Sequence, residues 1–211
     1  MINIKKGKEP DSLIQHKKQA NATYDNTNTS VKNNIRDQLL KEQGYLCAYC
    51  MQRLENDSLK VKIEHWHCQA KYPNEQLDYK NMLVVCKGNE GQSQENQHCD
   101  TYKANQDLTF NPANLPHNIE SKIKYLGNGT ILSDDEVLNN ELDTVLNLNY
   151  SMLKENRKKV LDGICKALNH KNGTRTKTEL SNFLKKWQNK NEQGKFNEYC
   201  GVAIYYLKKK I

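Results

Sequence analysis

The stretch Ile63-Glu64-His65-Trp66 decides the fold, because cysteines frame it on both sides. Cys47-Ala48-Tyr49-Cys50 precedes it, and Cys86 and Cys99 follow it. An acidic residue beside a histidine indicates little on its own, since most such pairs are a solvated acid and an ordinary strand-end histidine. Framed by four cysteines, the pair is typical of a small fold that a metal ion holds together.

The four cysteines predict a structural zinc site. Cys47 and Cys50 have the C-x-x-C spacing that lets two thiolates of one turn reach a tetrahedral ion. Cys86 and Cys99 would complete the site, and four protein ligands leave no open position for water. The gap between these last two cysteines is wider than in a tight knuckle, so His98 remains an alternative fourth ligand.

The composition agrees with a metal-supported core. The chain has 211 residues, of which 36% are hydrophobic and 27% are charged, so the apolar core must be lean. Seven cysteines, an odd number, favour metal ligands and free thiols over disulfides. The sequence has no run of about 18 apolar residues, and residues 1–6 do not resemble a secretory signal. These features predict a cytoplasmic protein without a membrane partner.

The charge is distributed unevenly along the chain. The formal net charge is +7, and residues 150–211 hold 15 of the 32 basic residues but only five of the 25 acidic ones. Such a region favours contact with a polyanion, although lysine-rich helices are more often simply solvated. The C-terminal third is therefore the electrostatic candidate for binding nucleic acid or a partner protein.

Hydrophobic patterns around the motif predict two strands and a helix. Residues 60–64 alternate and contain β-branched side chains, which indicates a strand. Residues 82–85 form a short apolar run, which indicates a second and more buried strand. Asp100 is expected to cap a short helix. Strand, loop, strand and helix is the order that a ββα-metal core requires.

The remaining segments are assigned from turn and capping signals. Ser30 is expected to cap a helix that runs through Gln43 and ends at Gly44. The domain prediction is an N-terminal arm with little regular structure over residues 1–30, a core over 31–106, and a hairpin plus helical region over 107–211. In that last region the patterns predict a hairpin over 123–132 and helices over 134–142, 147–169, 177–189 and 195–209.

The residues inside the cysteine frame indicate phosphodiester hydrolysis. His65, where the first strand ends, can take a proton from an attacking water. Glu64 and Asp100 can bind a hard divalent cation, Mg²⁺ or Mn²⁺, which would stabilise charge on the leaving oxygen. Asn81 is expected to act as a brace whose amide bonds the loop that holds His65.

Three further side chains are candidates for contact with nucleic acid. Lys103, one turn after Asp100, could neutralise a phosphate oxygen or pair with Asp100. His98 could contact phosphate, bind the zinc or belong to the loop. His67 could touch substrate or serve as scaffold.

Four motifs together carry a resemblance to a known family. They are Leu39-Leu40…Gln43…Leu46-Cys47-Ala48-Tyr49-Cys50, Ile63-Glu64-His65-Trp66, Tyr79…Asn81-Met82-Leu83…Cys86 and Gln97-His98-Cys99-Asp100…Lys103. These motifs resemble the HNH nucleases of bacterial antiphage systems, and most of all the nuclease subunit of Septu systems (PtuB-like) and the retron-associated HNH proteins. The match is tight over residues 31–103 and looser from 107 to about 160.

The resemblance implies site residues and partners. It implies Glu64 and Asp100 as metal ligands, His65 as base, and the four framing cysteines as zinc ligands. It also implies an ABC-type ATPase partner (PtuA-like), since the chain itself lacks a phosphate-binding G-x-x-x-x-G-K-[ST] loop, and for retron relatives a reverse transcriptase with its nucleic acid. The chain departs from the family pattern at Cys68, where a proline is usual, which should loosen the loop after His65.

The sequence thus predicts an α+β protein with a zinc-stapled ββα-metal (HNH) core and a mainly helical C-terminal region. The predicted function is a metal-dependent endonuclease, acting on DNA in an antiphage complex with an ATPase. RNA or tRNA cleavage is an alternative with the same chemistry. A non-catalytic zinc-knuckle adaptor is an alternative of another class.

Overall fold

The computed structural model describes residues 1–169 and 175–211, and within them helices alternate with two small sheets. Four strands form two antiparallel pairs: β1 (Val61–His65), β2 (Met82–Cys86), β3 (Lys124–Tyr125) and β4 (Ile131–Leu132). The α-helices are α1 (Asp11–Lys17), α2 (Thr29–Glu42), α3 (Cys99–Lys103), α4 (Ile119–Lys122), α5 (Glu136–Asn140), α6 (Ser151–Asn169), α7 (Lys177–Gln188) and α8 (Cys200–Lys208). The prediction of an α+β fold is confirmed.

Strands β1 and β2 carry the motif and form one antiparallel hairpin. Glu64 lies opposite Leu83, and His65 lies opposite Met82. Every residue of β2 is buried, as its unbroken apolar run predicts, because α2 and α3 both pack against it. The helix that follows in the sequence therefore lies beside the strand ends that carry the acidic residue and the histidine.

The N-cap of helix α2 lies two residues before the predicted one. Asn28, not Ser30, is the N-cap, and its side chain accepts a hydrogen bond from the Val31 backbone N–H. Both residue types are good caps, and an earlier acceptor leaves Ser30 inside the first turn. The helix ends at Glu42, one residue before the predicted end, and Gly44 follows its C-cap with a φ of +59°, which favours glycine.

The N-terminal segment is more ordered than the sequence suggested. The prediction of little regular structure over residues 1–30 is wrong for α1, which forms between Asp11 and Lys17. Met1, Ile4 and Leu13 are buried in the main core. These scattered apolar side chains show no periodicity, yet each finds a partner once the core exists.

The four predicted C-terminal helices are present, and α7 begins at Lys177 as predicted, but the other three start later than predicted. Helix α6 begins at Ser151 instead of residue 147, because Asn147 has a φ of +46° and its amide binds the Gln97 carbonyl at 2.7 Å. Helix α8 begins at Cys200 instead of 195, because the Phe196 N–H donates to the Gly44 carbonyl at 3.0 Å. The predicted helix over 134–142 is α5, which continues as a short π-helix over Glu141–Val145.

The short helix after the second strand also differs in its first residue. Helix α3 starts at Cys99, with His98 in the N-cap position, so Asp100 lies in the first turn and is not the cap. Its carboxylate still suits the positive end of the helix. Within the described parts of the chain, no helix is long and apolar enough to cross a membrane.

Candidate metal centre and catalytic site

Four buried cysteines converge at the end of the β1–β2 hairpin. Their sulfur atoms all lie within 4.8 Å of one another, and they belong to Cys47, Cys50, Cys86 and Cys99. Backbone hydrogen bonds place the first pair: the Met51 N–H donates to the Cys47 carbonyl at 3.0 Å, and the Ala48 N–H donates to the Val84 carbonyl at 3.2 Å. The turn between the first two cysteines is thus attached directly to β2.

The spacing of the sulfur atoms fits a tetrahedral zinc ion. Cys47 Sγ lies 3.9 Å from Cys99 Sγ, and Cys50 Sγ lies 3.8 Å from Cys86 Sγ. Zinc–sulfur bonds of about 2.3 Å in a regular tetrahedron put the sulfurs about 3.8 Å apart. Two of the sulfur–sulfur distances match this value and all are within 4.8 Å, so this cluster could bind a structural zinc.

Electrostatics within the cluster also favour a cation. Burial raises the pKa of the Cys50 and Cys99 thiols well above the ordinary value. Hydrogen bonds from its neighbours lower the pKa of the Cys86 thiol well below it. Burial disfavours the thiolate form, and a divalent ion bound among the sulfurs would favour it.

His98 lies beside the cysteine cluster. Its Nδ1 is 3.2 Å from Cys99 Sγ and 3.9 Å from Cys86 Sγ, and its ring stacks on Tyr150. The four-atom set within 4.8 Å contains Cys99 and does not contain this histidine. The geometry therefore favours Cys99 as the fourth sulfur, with the imidazole hydrogen-bonded to it from outside.

Glu64 is buried in an ion pair. Its side chain is 5% exposed, and its Oε1 lies 2.9 Å from the Lys103 ammonium, which is fully buried. The Tyr49 hydroxyl donates to the same oxygen at 3.2 Å. Burial, and then the nearby Asp100 carboxylate, raise the pKa of Glu64 well above its usual range.

Asp100 lies at the edge of the same site and is more open. Its side chain is 18% exposed, and its Oδ2 lies 3.4 Å from the Lys62 ammonium. That ammonium also contacts Glu90 at 3.0 Å and donates to the Thr101 hydroxyl at 2.9 Å. Asp100 is thus the carboxylate of the pair that solvent reaches.

The chemistry of the two carboxylates fits a hard divalent cation. They are oxygen ligands on neighbouring elements, and they stay close despite their like charge. In the described structure, two lysine ammonium groups balance that charge. A bound Mg²⁺ or Mn²⁺ would therefore share its place with positive charge that the protein already supplies.

His65 is buried and bonded through both ring nitrogens. Its Nε2 lies 2.9 Å from the Gln76 carbonyl oxygen, and its Nδ1 lies 3.2 Å from the Gln69 side-chain nitrogen. A carbonyl only accepts, so Nε2 carries the proton and Nδ1 keeps its lone pair. Burial lowers the pKa of His65, which favours this neutral form. The Tyr24 ring packs edge-on against the imidazole at 4.5 Å.

The amide of Asn81 holds the loop that follows β1. Its Oδ1 accepts from the His67 N–H at 2.8 Å, and its Nδ2 donates to the His67 carbonyl at 3.0 Å. The Asn81 carbonyl in turn accepts from the Trp66 N–H at 2.9 Å. These bonds restrain the backbone directly after His65.

The three candidates for nucleic-acid contact are mostly enclosed. Lys103 pairs with Glu64 and not with Asp100. Lys103 and His98 are both buried, so neither side chain reaches a polyanion in this structure. The His67 Nδ1 lies 2.8 Å from a Glu75 carboxylate oxygen, and its ring stacks on Tyr72. Only the side chain of His67 is partly exposed.

Several residues of the site had not been singled out from the sequence. Lys62 could have been found, because it lies two residues before Glu64 and so points to the same face of the strand. Gln69 and Tyr24 gave no comparable signal, since their chain segments have no periodicity. Gln76 contributes a backbone carbonyl, which any residue could supply.

The fold and site together define an α+β protein that has a candidate zinc centre beside a histidine and two carboxylates. No family model matches the chain. Over 89 residues, or 41% of its length, the chain is 30% identical to Septu protein PtuB of Bacillus thuringiensis. The match covers 35% of that protein, so the chain spans about a third of the length of the curated relative it matches.

Proposed function

We propose that this protein is a metal-dependent endonuclease of the HNH type, with a zinc-stapled ββα-metal core. The observation that carries the proposal is the state of the His65 imidazole, which is neutral with a free lone pair on Nδ1 and whose pKa responds to the charge of Asp100. Water attack on a phosphodiester requires a neutral base of this kind and carboxylates that can bind a divalent cation.

In this mechanism His65 Nδ1 takes the proton of the attacking water. The Gln76 carbonyl holds the other ring nitrogen and so fixes both the tautomer and the ring orientation. The Gln69 amide occupies Nδ1 in the described structure, so it must yield this position to water when substrate binds. Asn81 is the positioning residue that restrains the loop behind the imidazole.

Glu64 and Asp100 would hold the Mg²⁺ or Mn²⁺ ion, with waters and phosphate oxygens filling the remaining positions. When bound, that ion supplies electrostatic stabilisation of the leaving oxygen. Cys47, Cys50, Cys86 and Cys99 would bind the zinc, which has a structural role because all four positions are filled. The two metals therefore occupy separate sites with different ligand chemistry.

DNA is the proposed substrate. A water-attack site of this type needs no 2′-hydroxyl and tolerates one, so RNA and tRNA are the alternative substrates within the same chemistry. The basic residues 150–211 supply positive charge for either backbone. The motif resemblance and the similarity to a Septu protein support a role in antiphage defence with a PtuA-like ABC-type ATPase. In a retron system this protein would carry out the same nuclease chemistry. An adjacent reverse transcriptase gene would indicate such a system.

The experiment that tests the proposal is a cleavage assay with the His65→Ala variant. Wild-type protein, alone and with the ATPase, is incubated with Mg²⁺ or Mn²⁺ and with plasmid DNA or total tRNA. We expect metal-dependent cleavage by wild type and a loss of about 100-fold or more in the variant, since general base catalysis contributes that much.

The matched control is His117→Ala, which removes a partly exposed histidine whose ring nitrogens bond to Asn111 and Asn114. It should cleave like wild type. Equal inactivity of wild type and His65→Ala in every combination of partner, metal and substrate would refute the endonuclease proposal.

One observation favours a second candidate, a non-catalytic zinc-knuckle adaptor. His65 is only 5% exposed, and Glu64 is neutralised by a buried lysine, so the described conformation is closed to substrate. An adaptor would bind zinc through the same cysteines but would not hydrolyse any substrate. Zinc retention without cleavage under all conditions of the assay would support this alternative.

A further inference from the structure

Two ion pairs between β1 and α3 include the carboxylates of the proposed active site. Lys62 and Glu64 are two residues apart on a strand and so project from the same face. Asp100 and Lys103 are three residues apart on a helix and so share one side. The strand carries the base before the acid, and the helix carries the acid before the base. Two ion pairs, each between a lysine and a carboxylate, can therefore form side by side.

Both pairs are formed in the structure. The Lys103 ammonium lies 2.9 Å from Glu64 Oε1, and the Lys62 ammonium lies 3.4 Å from Asp100 Oδ2. Every carboxylate proposed to bind the catalytic metal therefore already has a lysine partner. A divalent ion would meet positive charge where it must bind, and like charges at this range repel.

The two lysines differ in how easily they can move. Lys103 is fully buried, and the only carboxylate it contacts within the described structure is Glu64, so it has no other acidic partner to turn to. Lys62 is half-buried and has two other partners, Glu90 at 3.0 Å and Thr101 at 2.9 Å. Its ammonium can therefore leave Asp100 and keep most of its hydrogen bonds.

We propose that Lys62 competes with the catalytic metal for Asp100. The Lys62 ammonium pairs with Asp100 in the metal-free protein and moves to Glu90 and Thr101 when the metal binds. This inference rests on the proposed function, because it takes Glu64 and Asp100 as the metal ligands. Lys62 would then be a positioning residue that sets metal affinity, and Lys103 would keep the buried Glu64 carboxylate in place.

The test is a measurement of Mn²⁺ affinity by electron paramagnetic resonance on zinc-loaded protein without substrate. Lys62→Met removes the competing charge, so the variant should bind Mn²⁺ about 5-fold more tightly. This factor corresponds to the free energy of one ion pair near the protein surface. Lys62→Arg keeps the charge and should bind no more tightly than wild type.

The matched control is Lys87→Met, since Lys87 also pairs with Glu90, at 3.0 Å, but does not contact Asp100. It removes the same charge from the same network and should change the Mn²⁺ affinity by less than about twofold. Equal affinities of Lys62→Met and Lys87→Met would overturn the competitor role and leave Lys62 as a structural link between strand and helix.

Asp100→Asn separates this inference from the proposed function. If the measured ion occupies the proposed site, this variant binds Mn²⁺ at least about 10-fold more weakly than wild type, since one of two charged ligands is lost. Unchanged Mn²⁺ binding by Asp100→Asn, or no binding by any variant, would contradict the metal assignment itself. Weakened binding in Asp100→Asn with no gain in Lys62→Met would overturn only the role of Lys62.

Discussion

At the scale of single residues, burial decides the charge states in the site. Glu64 and His65 are neighbours on β1, and both are 5% exposed. Burial acts on them in opposite directions, raising the pKa of the carboxyl and lowering that of the imidazole. Each shift favours the neutral form. For His65 this is the form that a general base needs, whereas Glu64 needs a cation beside it to stay ionised.

The pKa shift of His65 predicts the pH dependence of cleavage. Because burial disfavours the imidazolium, the base stays neutral below the ordinary histidine pKa of 6.5. A bound metal ion would act in the same direction. We expect the acid limb of the cleavage rate, measured at saturating metal from about pH 5 to pH 8, to have its midpoint below pH 6.5. A midpoint at or above that value would contradict the assignment of His65 as the base.

At the scale of elements, the loop between β2 and α3 closes the cysteine cluster despite its length. Gly88 makes this possible, because its φ is +55° and a Cβ there would lie 2.0 Å from the His98 carbonyl oxygen. The His98 N–H donates to the Gly88 carbonyl at 3.1 Å. The two ends of the loop thus touch backbone to backbone, and Cys86 is brought next to Cys99.

A side chain at residue 88 should therefore open the loop. Gly88→Ala is expected to lower the free energy of unfolding by about 2–3 kcal/mol, from backbone strain plus the clash, and to speed the release of zinc to a chelator. The control is Gly91→Ala, where φ is +89° and nothing lies within 4 Å of the added methyl. It should cost only about 1 kcal/mol and leave zinc release unchanged. Equal effects of the two variants on unfolding and zinc release would exclude the backbone contact as the cause.

At the scale of the whole molecule, the cysteine cluster joins segments that are distant in the sequence. Its sulfurs come from the turn after α2, from the end of β2 and from the start of α3. The Cys99 N–H donates to the Leu146 carbonyl at 2.8 Å, which connects the cluster to the C-terminal region. The cluster therefore links these segments in addition to the apolar core that they share.

Removal of zinc should therefore destabilise the whole protein and not only the knuckle. We expect Cys86→Ser with Cys99→Ser, or chelation of the wild type, to lower Tm by at least about 10 °C, since a structural zinc contributes several kcal/mol. Thermal unfolding and elemental analysis measure the two effects. Cys165→Ser, which changes a half-buried thiol outside the cluster, should keep both Tm and zinc content. Zinc content that is unchanged in the double variant would refute the four-cysteine assignment.

Much of the framework followed from local pattern. Alternation over residues 60–64 and the apolar run at 82–85 predicted β1 and β2 to within a residue, and the C-x-x-C spacing with two later cysteines predicted the cluster. Helix starts were less predictable. Asn28, Asn147 and Phe196 shift three of them through side-chain and backbone bonds, two of which join distant parts of the chain.

By itself, the sequence determined the class of fold, the four sulfurs and the carboxylate–histidine pair, because these depend on residue type and on the order of motifs along the chain. Only the tertiary structure decided which groups neutralise the carboxylates and how His65 is enclosed. Lys62, Lys103, Gln69 and Gln76 reach the site from different elements. Burial and ion pairing depend on distances across the fold, and no local pattern in the chain encodes such distances.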